Sequence, residues 1–99
     1  MTDEDQLERA MTRGTRAQSL LDSELLQEAF KTLEDNYSLA WRSTTIDQVA
    51  NREKLFLAIN IVGKVKDHLT LAVNNGKLAA AEVRKINETA ERRKRFGIV

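Results

Sequence analysis

A chain with no proline and only four glycines in 99 residues has few means of turning back on itself. Sheets need a tight turn at every strand end, and those turns draw on glycine, proline and asparagine, whereas long helices need few breaks. The sequence therefore predicts an all-α protein: a helical hairpin or small bundle of three to four helices, with one long central helix over about 45–75. Ninety-nine residues make a single domain with one modest core. Residues 1–91 are expected to form that domain, with 92–99 as a basic, flexible tail.

Composition excludes several chemistries. Without cysteine, and with one histidine, the chain has no disulfide framework, thiolate metal site, cysteine nucleophile, multi-histidine zinc site or histidine-paired acid/base system. The expectation is a non-enzyme without cofactor or metal. The N-terminus, Met1-Thr2-Asp3-Glu4-Asp5, is acidic and unlike a signal peptide. The longest apolar run, Leu55 to Ile59, falls far short of the ~20 residues that cross a bilayer. No membrane partner is expected, and the chain reads as cytosolic or particle-associated. The net charge of +1 conceals a separation, because residues 1–41 sum to −5 and residues 42–99 to +6.

The first helix is expected from about Asp3 to Leu21, with a thin stripe of Leu7, Ala10 or Met11, Gly14, Ala17 and Leu21 at steps of three and four. Gly14 in its interior costs roughly 1 kcal/mol relative to alanine, which marks this segment as the least stable. Asp22 and Ser23 can cap a new start, where the chain either bends or continues. Leu26, Ala29/Phe30, Leu33, Tyr37 and Ala40/Trp41 then trace one helical face. Ser43-Thr44-Thr45 breaks the pattern, and Thr44 with Asp47 has the form of a capping box. The third helix is expected to stop at Gly76 in a left-handed conformation. Its middle, from Leu55 to Val73, is apolar nearly all round, and such a helix needs cover on more than one side. A second subunit is the economical source, which makes Leu55, Phe56, Ile59, Val62 and Leu69 the candidate oligomer interface. The segment from Lys77 reads as a fraying helix with a basic end.

Other residues carry weaker signals. Glu24 and Glu28, one turn apart, fit a solvated helix face better than an acid/base pair. His68 lacks partners for ligation or catalysis and reads as a boundary residue at a helix contact. Gly63-Lys64 has no strand or upstream glycine to make a phosphate loop, so Gly63 is expected to mark close helix approach. Lys64, Lys66 and the cluster Arg92, Arg93, Lys94, Arg95 are the candidate nucleic-acid contacts through salt-sensitive phosphate pairing. Tyr37 and Trp41 read as core residues or, if exposed, as anchors for a partner.

Arg16-Ala17-Gln18-Ser19-Leu20-Leu21, Leu25-Leu26-Gln27-Glu28-Ala29-Phe30, Ala40-Trp41, Arg52-Glu53-Lys54-Leu55-Phe56, Val65-Lys66-Asp67-His68-Leu69 and Asn75-Gly76-Lys77-Leu78-Ala79 follow one another in an order that resembles a group of small helical proteins of tailed bacteriophages and prophages of proteobacteria. The resemblance spans roughly residues 9–80 and implies a phage setting, with host cytoplasm or virion as the location; it carries over no functional residues. Within that setting the expected role is a non-enzymatic, homo-oligomeric structural or assembly protein acting through helix–helix contacts. The alternatives are a DNA-packaging or DNA-binding accessory similar to a small terminase subunit, and an acidic-faced inhibitor of a host or defence nucleic-acid enzyme. The terminase-like alternative departs from that pattern in its acidic N-terminal half.

Overall fold

The computed structural model describes residues 2–95. The described residues form three α-helices and no strand: α1 (Asp3–Leu21), α2 (Glu24–Arg42) and α3 (Val49–Arg95). The break expected at Ser43–Thr45 is present, and the choice left open at Ser23 falls on a break. Ser23 is the N-cap of α2, with extended backbone (φ −69°, ψ 117°) and a hydroxyl accepting from the Leu26 amide, so α1 and α2 are separate helices. Ser43 closes α2: its amide donates to the Leu39 carbonyl at 3.0 Å and the Thr44 amide to the Trp41 carbonyl at 3.1 Å, and the Ser43 hydroxyl donates to the Leu39 carbonyl at 2.9 Å.

The third helix departs from expectation at both ends. It runs from Val49 to Arg95 over 47 residues, not from 45 to 75, and at 1.5 Å per residue it is about 70 Å long. At its start the chain turns through residues 45–48 before the helix begins. The Thr45 amide donates to Gln48 Oε1 at 2.9 Å, and the Thr45 hydroxyl donates to the Asp47 carboxylate. The reciprocal side-chain bond of a capping box thus falls on Thr45 and Gln48. The Gln48 side chain is long enough to reach back three residues, while Asp47 is already held by Thr45. At Gly76 the helix continues without interruption. The following Lys77-Leu78-Ala79-Ala80-Ala81-Glu82 run favours helix strongly, and Gly76 is packed against α1. Arg92–Arg95 form the last turn of α3; residues 96–99 of the expected tail lie outside the described residues.

The chain divides into two compact units. In the first, α1 to Gln18 packs with α3 from Leu71 onward. The apolar stripe of α1 is turned inward as its spacing predicts: Leu7, Ala10 and Met11 are half-buried, and Gly14 and Ala17 are buried. Opposite them lie buried Val73, Gly76 and Ala79. Gly14, expected to be a weak point, is instead where the two backbones approach. A Cβ built on Gly14 would stand 2.8 Å from Gly76 Cα and 3.1 Å from the Ala72 carbonyl. One built on Gly76 would stand 2.9 Å from Gly14 Cα and 3.1 Å from the Ala10 carbonyl. Each helix presents an alanine and a glycine four residues apart, Ala10/Gly14 and Ala72/Gly76, and these let the helices close. Gly63, the glycine expected at a close approach, has nothing within 4 Å of its Cβ position.

The second unit, Ser19–Thr70, pairs α2 with the first half of α3. Arg52 stacks on Trp41 near the connection and Lys66 reaches Glu34 farther from it, so the two helices run antiparallel.

Candidate interaction surface

The contacts between α2 and α3 fix which face of each helix is spent inside the chain. On α2 it is the face carrying Leu26, Phe30, Glu34, Tyr37 and Trp41; on α3 it carries Arg52, Leu55, Ile59, Val62, Lys66 and Leu69. Two cation–aromatic contacts and one ion pair hold them. The Arg52 guanidinium lies 4.6 Å from the Trp41 ring centroid and donates to the Thr44 hydroxyl at 3.0 Å. Lys66 Nζ sits 3.1 Å from Glu34 Oε1 and 6.0 Å from the Phe30 ring centroid. Of the five candidate interface residues, Val62 is buried and Leu55, Ile59 and Leu69 are half-buried on this inner face. Phe56 alone is largely exposed, at 60 %, in an open groove with Trp41, Arg52, Glu53 and Leu57.

The candidate anchors and cations are placed just as unevenly. Tyr37 is half-buried on the inner face, and Trp41 lies at its margin with one ring face covered by Arg52. Lys66 is held by Glu34, whereas Lys64, two residues earlier, is exposed on the far face of the helix. Arg92, Arg93, Lys94 and Arg95 are exposed in the last turn of α3, where basic side chains also complement the negative end of the helix dipole. The structure does not bring the lysines and the arginine cluster into one unit. His68 is exposed beside Ile61, Lys64, Val65 and Leu69.

Outside the inner face, a second apolar stripe runs along each helix of this unit. On α2 it comprises Leu25, Ala29, Leu33 and Ala40, and on α3 Leu57, Ile61 and Val65, all exposed. The five larger side chains keep 41–76 % of their surface. Seen along each helix from its own N-terminus, the stripe sits roughly 100° anticlockwise of the inner face, at 3.6 residues per turn. Because the helices are antiparallel, equal rotations in the same sense bring both stripes to the same side of the pair. The opposite side is polar apart from Val49 and Phe56: Glu24, Lys31, Asp35 and Ser38 on α2, Asn60, Gly63 and Asp67 on α3. There Lys31 and Asp35 form an exposed ion pair at 2.9 Å, and the hydrogen bond to Asp35, with its charge, raises the Lys31 pKa.

In the sequence the two stripes read as one, a single apolar face on α2 and an apolar circumference on α3. The separating signal was available as steps of four: 25, 29, 33 on α2 and 57, 61, 65 on α3. Without knowledge of which face α2 and α3 use for each other, those steps could not be told from core.

Among the described residues no group of three His, Asp or Glu side chains is placed to hold a metal ion. No helix among them is long and apolar enough to cross a membrane. Comparison with family models, with curated proteins and with solved structures finds no match.

Proposed function

We propose that this chain is a self-associating, non-enzymatic helical protein that acts in phage structure or assembly through helix–helix contacts, its small bundle being completed between copies. The observation that carries this reading is the surface left uncovered. Among the described residues, fourteen large hydrophobic side chains keep 36–90 % of their surface. Among the same residues, the buried hydrophobics are Ala17, Val62, Val73 and Ala79 alone. The phage setting rests on the sequence resemblance.

Light scattering of the purified chain across a range of concentrations tests the reading. The expected result is a mass of at least twice the monomer at tens of micromolar. A monomer mass throughout overturns it.

The exposed basic turn Arg92–Arg95 favours the second reading, a DNA-binding accessory role. That role requires a duplex gel shift that weakens with salt and disappears when these four residues become alanine. Lack of any shift at low salt removes it.

A further inference from the structure

We infer that the apolar side of the α2–α3 pair is where a second copy of this chain docks, forming a four-helix bundle from two antiparallel hairpins. The inference rests on the self-association proposed above and adds which surface associates.

The hairpin has two unlike sides. One presents Leu25, Ala29, Leu33 and Ala40 from α2 with Ile61 and Val65 from α3, and Leu57 at its rim. The other presents mainly charged and amide side chains, with Val49 and Phe56 the apolar ones near the start of α3. A two-helix layer with this division is half of a four-helix bundle, in which each helix buries one stripe against its covalent neighbour and another against the facing layer. The first stripe is already used, through Trp41–Arg52 and Glu34–Lys66; the second is bare.

Area argues that the occupant is another copy. The five larger side chains of the bare face, at 41–76 % exposure, leave on the order of 500 Å² uncovered, within the ~300–600 Å² of the largest patch on a typical monomer, often a functional one. A standard interface buries about 800 Å² per partner, a little over half of it non-polar. One face of this hairpin therefore supplies the apolar area that one side of a stable dimer needs. A two-fold arrangement uses the same patch twice, so docking covers both copies and leaves neither with a bare stripe. The polar side remains in water with its Lys31–Asp35 pair undisturbed.

The natural chain has no cysteine, so single-cysteine variants report burial directly. Ile61→Cys and Leu33→Cys probe the apolar side; Asn60→Cys and Asp67→Cys probe the polar one, with circular dichroism checking helicity in each. Thiol labelling is followed while protein concentration is raised through the association range measured by light scattering. The expected result is labelling at least about tenfold slower at 61 and 33, with no change at 60 and 67. As a second measurement, Ile61→Asp is expected to give a monomer and Phe56→Asp, on the polar side, to leave the wild-type mass. Protection at 60 and 67 but not at 61 and 33, in a protein that still self-associates, overturns this face while the proposed function stands. A wild-type chain that stays monomeric overturns both.

Discussion

At the scale of single residues, the glycines show how one side chain's absence acquires opposite meanings. Alanine is favoured over glycine by roughly 1 kcal/mol inside a helix, and at Gly63, with open space around its Cβ position, nothing opposes that gain. At Gly14 and Gly76 a methyl group would meet backbone atoms of the other helix at 2.8–3.1 Å. Backbone cannot swing aside as a side chain can, so the helices would have to part, and overpacking of this kind costs about 1–3 kcal/mol. Gly63→Ala is therefore expected to raise the unfolding free energy by about 0.5–1 kcal/mol. Gly14→Ala and Gly76→Ala should each lower it by about 1 kcal/mol once the helix gain is subtracted. Urea denaturation followed by circular dichroism separates the two cases. In the sequence Gly76 reads as a helix stop and Gly14 and Gly63 both as mid-helix, so spacing alone gave no reason to choose Gly14 and Gly76 over Gly63 as the close contact.

At the scale of elements, the junction between α2 and α3 is built from short polar side chains. Thr44 donates to the Trp41 carbonyl at 2.6 Å and accepts from Arg52, Thr45 holds both Asp47 and Gln48, and the helix follows at Val49. The Thr45 hydroxyl and Asp47's own amide hold the Asp47 carboxyl below its ordinary pKa. A carboxylate with a depressed folded pKa stabilises the fold above its unfolded value, near 3.9, and loses that contribution as pH falls through the folded value. The junction should thus be intact at neutral pH and loosen only well into acid. In a titration followed by carboxyl NMR shifts, Asp47 is expected to have a midpoint below that of a free aspartate. Thr45→Val should bring the midpoint back toward the free value; an unchanged midpoint would show that the hydroxyl does not hold the carboxylate. The existence of the break was legible from Ser43-Thr44-Thr45. Its pairing was not, since Thr44/Asp47 and Thr45/Gln48 offer nearly the same local pattern and only the path of the backbone selects one.

At the scale of the whole molecule, burial and length disagree. A 47-residue helix is made within a chain whose buried apolar side chains, among the described residues, are two alanines and two valines: Ala17, Ala79, Val62 and Val73. Stability that depends on association varies with protein concentration. The midpoint of thermal unfolding is therefore expected to rise by a few degrees for each tenfold increase in concentration, since mass action adds about 1.4 kcal/mol per dimer at each step. A midpoint independent of concentration, measured by scanning calorimetry, would mean that the chain's own contacts suffice. The −5/+6 separation between residues 1–41 and 42–99 belongs to this scale too, but within the second unit its visible effect is local, in the Glu34–Lys66 pair.

By itself the sequence determined the helical class, the possible cap at Ser23, the break at Ser43–Thr45, the inward stripe of α1 and the surplus of apolar surface on α3. All of these depend on residues near one another in the chain, through turn chemistry, capping and the 3.6-residue period. Only the tertiary structure decided that α3 passes through Gly76, that Gly14 and Gly76 meet, and that two stripes on different helices share one side. Those outcomes depend on which faces meet across tens of residues of sequence. A helical period is the same whether its apolar face covers a neighbour in the same chain or waits for another.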